Sequence, residues 1–183
     1  MPDGDDESRM LWYSPDPRGL LPLDERFHVS RRLGRTIRSG RFVCTIDRAF
    51  QVVMRLCADR PEGSWITGDF LAAYGLLHEL GVAHSVEAWA GDAPPGTGQP
   101  VGGIYGLALG GAFFAESMFH RVRDAGKVAL AHLVEHLRGR GFRLLDVQWL
   151  TGHLRSFGGY ELPRQEYLSA LAGALAAGVS FGP

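Results

Sequence analysis

Val101-Gly-Gly-Ile-Tyr-Gly-Leu-Ala-Leu-Gly110-Gly111-Ala-Phe-Phe-Ala-Glu116-Ser-Met-Phe119 is the stretch that decides the fold. Two apolar runs of strand length flank Gly110-Gly111, a pair suited to a tight turn. Val101 to Leu109 and Ala112 to Phe119 are therefore predicted to form a hairpin. The second run carries a carboxylate, Glu116. A later strand-like segment, Arg143 to Gln148, carries another, Asp146. A carboxylate in apolar surroundings is costly unless it is paired, hydrogen-bonded or used in chemistry. Bland readings exist for both: alternation can turn Glu116 to solvent, and Asp146 can cap a loop. However, period-2 alternation puts Leu144, Asp146 and Gln148 on one strand face and Leu145 and Val147 on the other. A carboxylate and an amide on one face can bind an ammonium group, take its proton and orient it.

Working outward, His84 to Trp89 reads as a strand before the hairpin and Phe42 to Ile46 as another. Asp47 is read as the cap of a helix through about Ala58, with Phe50, Val53, Met54 and Cys57 on one face. Asp69 to Leu80 is a second amphipathic helix, stopped by Gly81. Residues 28–38 allow a short basic helix. After the hairpin, Lys127 to Leu137 is helical, and Pro163 opens a final helix to about Ala176. Residues 11–23, with three prolines, read as extended or turning. This order gives an α+β (mixed α/β) class. A meander followed by a helix and a strand resembles the GCN5-related N-acetyltransferase-like acyltransferase fold, with a short N-terminal appendage. In that fold the central sheet splays and the acyl donor enters the gap. The expected division is a truncated N-terminal segment, residues 1–25, and a catalytic domain, residues 26–183.

Composition narrows the function classes. The chain has 183 residues, 45% hydrophobic and 21% charged, with a net charge of -1. That is ordinary for a globular domain and gives no global steering toward nucleic acid. Residues 1–8 are acidic and read as a solvated tail. Residues 26–41 instead hold six arginines and no acid. A solvated helix face is the default for such a run, but concentrated positive charge near Trp12, Tyr13 and Trp65 also suits a phosphate backbone and a stacked base. Cys44 and Cys57 lack metal-ligand spacing and read as reduced core residues. No leader pattern opens the chain, and no apolar run approaches the roughly 20 residues needed to span a bilayer. A cytoplasmic protein with no membrane partner is expected. His132 and His136 have helical i, i+4 spacing but no suitable third ligand, so no metal is expected. His153, after the Asp-Val-Gln strand, reads as a capping or hydrogen-bonding residue. Arg123-Asp-Ala-Gly126-Lys-Val128 only loosely matches a CoA-cradling loop.

Several segments together carry a family resemblance. Trp12-Tyr-Ser-Pro-Asp-Pro-Arg18, Gly63-Ser-Trp-Ile-Thr67, Ala73-Tyr74 with Leu77-His-Glu-Leu-Gly81, and Ala83-His-Ser-Val-Glu87 with Trp89 come first. Val101-Gly-Gly-Ile-Tyr-Gly106, Glu116-Ser-Met-Phe119, Asp146-x-Gln148 and His153-Leu154 follow in order. From about residue 11 to about residue 170 the chain resembles the leucyl/phenylalanyl-tRNA–protein transferases.

The resemblance implies transfer of Leu or Phe, with Met a further donor, from aminoacyl-tRNA to the N-terminal amine of proteins beginning with Arg or Lys. That transfer marks them for N-degron proteolysis. It implies no cofactor, because conversion of ester to amide is downhill. By the same resemblance Asp146 holds the attacking amine and helps remove its proton, Gln148 positions it, and Glu116 joins the same polar centre. The acyl side chain would occupy a pocket of Ile104, Phe113, Met118, Leu130, Leu133, Leu137 and Leu145. A plain core role is the competing reading of that list, strongest for Leu137 and Leu145. Trp12 and Trp65 would flank the terminal adenosine. Arg31, Arg32, Arg35 and Arg38 would contact tRNA phosphates, and a monomer is the simplest assembly. The chain departs from the family pattern in its short N-terminal segment, at His120 and at Gly126. The other readings are an acetyl-CoA-dependent N-acetyltransferase and an inactive module that binds tRNA or N-degrons.

Overall fold

The computed structural model describes residues 2–3, 6–10, 13–92 and 94–182, the first two stretches by backbone alone. Near the start, β1 (Pro2–Asp3) and β2 (Asp6–Met10) pair antiparallel, where the sequence reads as a tail. The remaining strands are β3 (Arg18–Leu21), β4 (Phe42–Ile46), β5 (Ala83–Ala90), β6 (Gly102–Leu109), β7 (Ala112–His120), β8 (Leu144–Gln148) and β9 (Tyr160–Leu162). The helices are α1 (Arg31–Arg38), α2 (Phe50–Ala58), α3 (Gly68–Glu79), α4 (Ala125–Gly139), α5 (Gly152–Arg155) and α6 (Arg164–Leu175).

Strands β3 to β9 form one seven-stranded sheet in the order β4-β5-β6-β7-β8-β3-β9. Neighbours run antiparallel except β7 and β8, which are parallel and joined by α4. A parallel pair cannot be joined by a tight turn, so the long connection is required there. The architecture is α+β, as the element order predicts.

Alternation along β6 distributes side chains to both layers. Ile104 packs with the α4 residues Leu130, Leu133 and Leu137 on one face. Tyr105 packs with Phe50, Val53 and Met54 of α2 on the other. Both faces are covered, which is why β5 and most of β6 are buried without alternation. A third cluster joins Leu20 of β3, Leu144 of β8 and Tyr167 of α6.

Asp47 does not cap α2, as the sequence reading expects. Its backbone is left-handed (φ 56°), and its carboxylate accepts from the Ser85 N–H at 2.8 Å and meets His84 Nδ1 at 2.7 Å. Fully buried Glu87 of β5 takes over at the helix entrance. It accepts weakly from the backbone N–H groups of Arg48 and Ala49, and from the Thr45 and Ser85 hydroxyls.

The sheet opens at one place. The β7–β8 ladder contains only Ala112↔Leu144, Phe113↔Leu145 and Phe114↔Asp146. Beyond Phe114, β7 continues to His120 with β6, while β8 stays with β3. Each lip of the opening is irregular. Tyr105 pairs with Ser117 and Gly106 with Ala115, so Glu116 is the extra residue of a β-bulge. Across the gap, Gly19 pairs with Gln148 and Leu20 with Asp146, so Val147 is the extra residue in β8.

Gly106 faces the bulge and must lack a side chain. A Cβ there would collide with the Phe114 carbonyl oxygen and the Phe113 ring. Gly106→Ala is therefore expected to destabilise the fold by about 1–3 kcal/mol, the usual cost of overpacking, measured by urea unfolding. Unchanged stability would show that the bulge relaxes without cost.

Candidate active site

The opening between β7 and β8 is a cavity of about 530 Å³. Ile104, Ala115, Met118, Leu130 and Val147 give it an apolar inner wall. Trp65, Phe70 and Tyr74 line another side, Tyr13 and Trp149 a further part, and Arg60, Glu116, Ser117, Gln148 and His153 supply polar groups.

Glu116 reaches this wall because the bulge breaks alternation and re-aims the strand. Burial pushes its carboxyl up to about 7. The Tyr74 hydroxyl beside it acts in the opposite direction, Asp146 raises it further, and Arg18 lowers it. A carboxyl that titrates near neutrality can accept a proton from an amine and release it again.

Asp146 stands behind the wall rather than on it. It is fully buried, and both of its oxygens are engaged. Arg18 Nε donates to Oδ1 and Oδ2 at 3.0 Å each, the Tyr167 hydroxyl donates to Oδ2 at 2.6 Å, and the Gln148 N–H donates to Oδ1 at 2.8 Å. The last bond holds Gln148 in a left-handed backbone conformation (φ 57°), which places it on the cavity wall. Such a conformation is uncommon for a residue other than glycine. The Arg18 guanidinium also lies 5.4 Å from the centre of the Tyr167 ring.

The expected pocket residues separate into two groups. Ile104, Met118 and Leu130 line the cavity. Phe113, Leu133, Leu137 and Leu145 do not; each is at most 1% exposed and belongs to the core under α4. Geometry explains the division. Phe113 and Leu145 face each other on a closed rung of the ladder, below the split. Leu133 and Leu137 lie one and two helical turns along α4 from Leu130, away from the gap.

Trp65 is on the wall, edge-on to Phe70 at 5.3 Å between ring centres. Trp12 lies outside the described residues. Arg31, Arg32, Arg35 and Arg38 are exposed on α1, which packs against α4, and none of them lines the cavity. Arg32 is partly committed, with a two-pronged ion pair to Asp124 at 2.9 and 3.0 Å. Among the described residues no cluster of metal-ligating side chains occurs, and His136 Nε2 instead meets the Phe181 carbonyl at 2.8 Å.

Three functional neighbours escape the sequence reading: Arg18, Tyr74 and Tyr167. Arg18 lies 128 positions from Asp146 in a proline-flanked segment that reads as extended or turning, and no local pattern signals the pairing. Burial lowers the basicity of His153, helped by Lys127 and His120, and its Nε2 has no partner among the described residues.

The chain matches the family model described as leucyl/phenylalanyl-tRNA protein transferase over residues 20–172. It belongs to this family. Its similarity to individual members is broad. It is 50% identical to the leucyl/phenylalanyl-tRNA–protein transferase of Herpetosiphon aurantiacus over 97% of this chain and 89% of the relative. It is 53% identical to that of Paramagnetospirillum magneticum, covering 93% and 80%. The Phenylobacterium zucineum protein is 50% identical, covering 99% and 80%. No described helix is long and apolar enough to cross a membrane.

Two expectations follow from this geometry. Arg18→Met should cost about 3–5 kcal/mol in urea unfolding, because it strands a buried carboxylate; a loss below about 1 kcal/mol would show that Asp146 does not depend on Arg18. The second concerns pH. Folded Glu116 keeps its proton up to pH about 7, whereas the unfolded group loses it near 4.5. The folded state binds more protons across that window, so Glu116 makes stability fall as pH rises through it. Glu116→Gln should flatten that part of the stability–pH curve, and an unchanged slope would contradict the assignment.

Proposed function

We propose that this transferase moves a leucyl or phenylalanyl group from its tRNA to the N-terminal amine of an acceptor protein, with Met a further donor. Acceptors beginning with Arg or Lys, and hence entry into N-degron proteolysis, are part of the same proposal. The observation that carries it is one cavity in which Glu116, its carboxyl pushed up to about 7, stands beside an apolar wall of Ile104, Met118 and Leu130. The wall suits an unbranched-at-Cβ hydrophobic side chain, and the carboxyl suits the amine that must attack beside it.

The reaction is aminolysis of an ester. The acceptor amine, once neutral, forms a bond from its nitrogen to the ester carbonyl carbon. The tetrahedral adduct then breaks its bond to the ribose oxygen, which leaves with a proton as a hydroxyl. No external energy source is needed, so the protein supplies positioning, a route for the proton and exclusion of water. Ionised Glu116 takes the ammonium proton and releases it to solvent; it then takes the extra proton from the adduct nitrogen and delivers it to the departing oxygen. Gln148 orients the amine. Asp146 acts through Gln148 by fixing its backbone, so its contribution is positional. Trp65 stacks on the terminal adenosine, and the α1 arginines meet phosphates without reading bases. One methylene changes binding in such a pocket by only about 1–3 kcal/mol, so rejection of β-branched residues rests on shape.

The reading places the chain in the cytoplasm, where charged tRNA is available, acting as a monomer. It also treats residues 26–183 as the catalytic domain, with Arg18 reaching into it from the preceding segment.

The test uses purified protein, leucyl-tRNA and a peptide beginning with Arg. Leucyl transfer without CoA is expected, reduced roughly 100-fold or more by Glu116→Gln, within the usual range for loss of a general base. Asp146→Ala should lower it as well. Acetylation of the same peptide from acetyl-CoA, with no leucyl transfer, would refute the proposal.

A further inference from the structure

We infer that Arg60 binds the phosphate on the 5′ side of the donor's terminal nucleoside, so that the same cavity wall holds the base, the ester and the phosphate of one nucleotide. This rests on the transferase reading above.

Arg60 follows the end of α2. Its Nε donates to the Cys57 carbonyl at 3.1 Å, and its Nη2 donates to Ser117 Oγ at 3.0 Å. These two bonds span from the helix end to the strand residue directly after Glu116. They orient the guanidinium on the cavity wall while most of the residue stays exposed. A guanidinium has five N–H donors, so at least three remain for a ligand. Arg18, Arg26, Arg32, Arg121, Arg155 and Arg164 are each paired with a carboxylate. Arg60 makes no ion pair among the described residues, and it is the one arginine on the cavity wall.

The position matters as much as the charge. Trp65, five residues later in the same connecting loop, offers an aromatic surface on the same wall, while Glu116 marks the reacting end. With the base at Trp65 and the ester at Glu116, the nearest anion of the donor is the 5′ phosphate of that nucleoside. A planar, fixed guanidinium matches two phosphate oxygens, and a group fixed before binding loses little entropy on contact. The α1 arginines, which lie away from the cavity, would meet phosphates further along the acceptor stem. Arg60 differs from them because it would set the reach between the last phosphate and the ester carbonyl.

The competing role is structural: Arg60 could merely strap α2 to β7. Two synthetic donors separate these roles, leucyl-adenosine esterified at its 3′ oxygen and the same ester carrying a 5′ phosphate. In the intact protein the phosphate should improve kcat/KM for transfer to an Arg-initiated peptide by roughly ten- to hundredfold, the usual range for a charge-assisted hydrogen bond. Arg60→Ala should abolish that advantage, so that the two donors give kcat/KM values within about twofold of each other in the variant. Arg60→Gln retains a donor for Ser117 and serves if the alanine variant fails to fold; it should lose the advantage equally. With whole leucyl-tRNA, the dependence of log KM on log salt should fall by roughly 0.7, the share of one single-strand phosphate.

Equal loss with both donors, accompanied by a lowered Tm, would show a strap and overturn the inference. A phosphate advantage that survives in both variants would overturn it too. If the intact protein transfers leucine from neither donor nor from leucyl-tRNA, the transferase reading itself fails, and that outcome is distinct from a failure at Arg60.

Discussion

The buried carboxylate of Asp146 is the constraint on which the site depends. Removing it from water is costly, and three groups from separate parts of the chain offset that cost: Arg18 from β3, Tyr167 from α6 and the Gln148 N–H. Together they fasten one lip of the sheet opening. Because β8 pairs with β3 rather than continuing along β7, the gap persists, and the cavity occupies it. An apolar residue at position 146 could pack as well, but it could not draw Gln148 into a left-handed turn. The ion pair therefore adds direction, which packing alone would not provide.

The other lip is built by a different device. In β7 one extra residue is tolerated because Gly106 across the ladder leaves room for it. Glu116 is that residue, and the bulge turns it to the cavity among Tyr74, Ser117 and apolar neighbours. Its partial desolvation is what raises its proton affinity. Regular alternation would give Glu116 a full rung partner on β6, and the carboxyl would lose the environment that tunes it. Two irregular strands, one on each side of a short parallel ladder, thus convert a covering sheet into an open one.

Much of the frame was legible in the sequence, for reasons that can be named. The hairpin at Gly110-Gly111, the stripe of α4 and the strand holding Asp146 all show strong local periods, and each is present at the expected place. Local pattern failed where partners are distant. The strand Arg18–Leu21 is short and flanked by prolines, and it exists because β8 and β9 receive it. Asp47 looks like a helix cap by position, but β5 offers its carboxylate better donors. Of the apolar residues expected around the acyl group, Ile104, Met118 and Leu130 face the split, whereas Phe113, Leu133, Leu137 and Leu145 lie in the core. Hydrophobicity does not say on which side of the last ladder rung a residue falls. Glu116 was identified as unusual, yet the bulge that makes it so is a property of pairing, and a single strand cannot display it.

Two unfavourable features meet at the opening. Gln148 adopts a left-handed backbone, and Glu116 is held partly out of water. Each lowers stability by an amount that the surrounding core must offset. Their clustering has a functional logic for ester aminolysis. The acceptor arrives as an ammonium, which a desolvated carboxyl welcomes electrostatically, and it must then lose its charge before attack. A carboxyl fully satisfied by permanent partners, as Asp146 is, would have little capacity left for either step. One held near its midpoint by incomplete solvation can do both. In the proposed reaction the division of labour between the two acids follows from their surroundings: saturated Asp146 would fix geometry, while Glu116, with fewer partners, would exchange the proton.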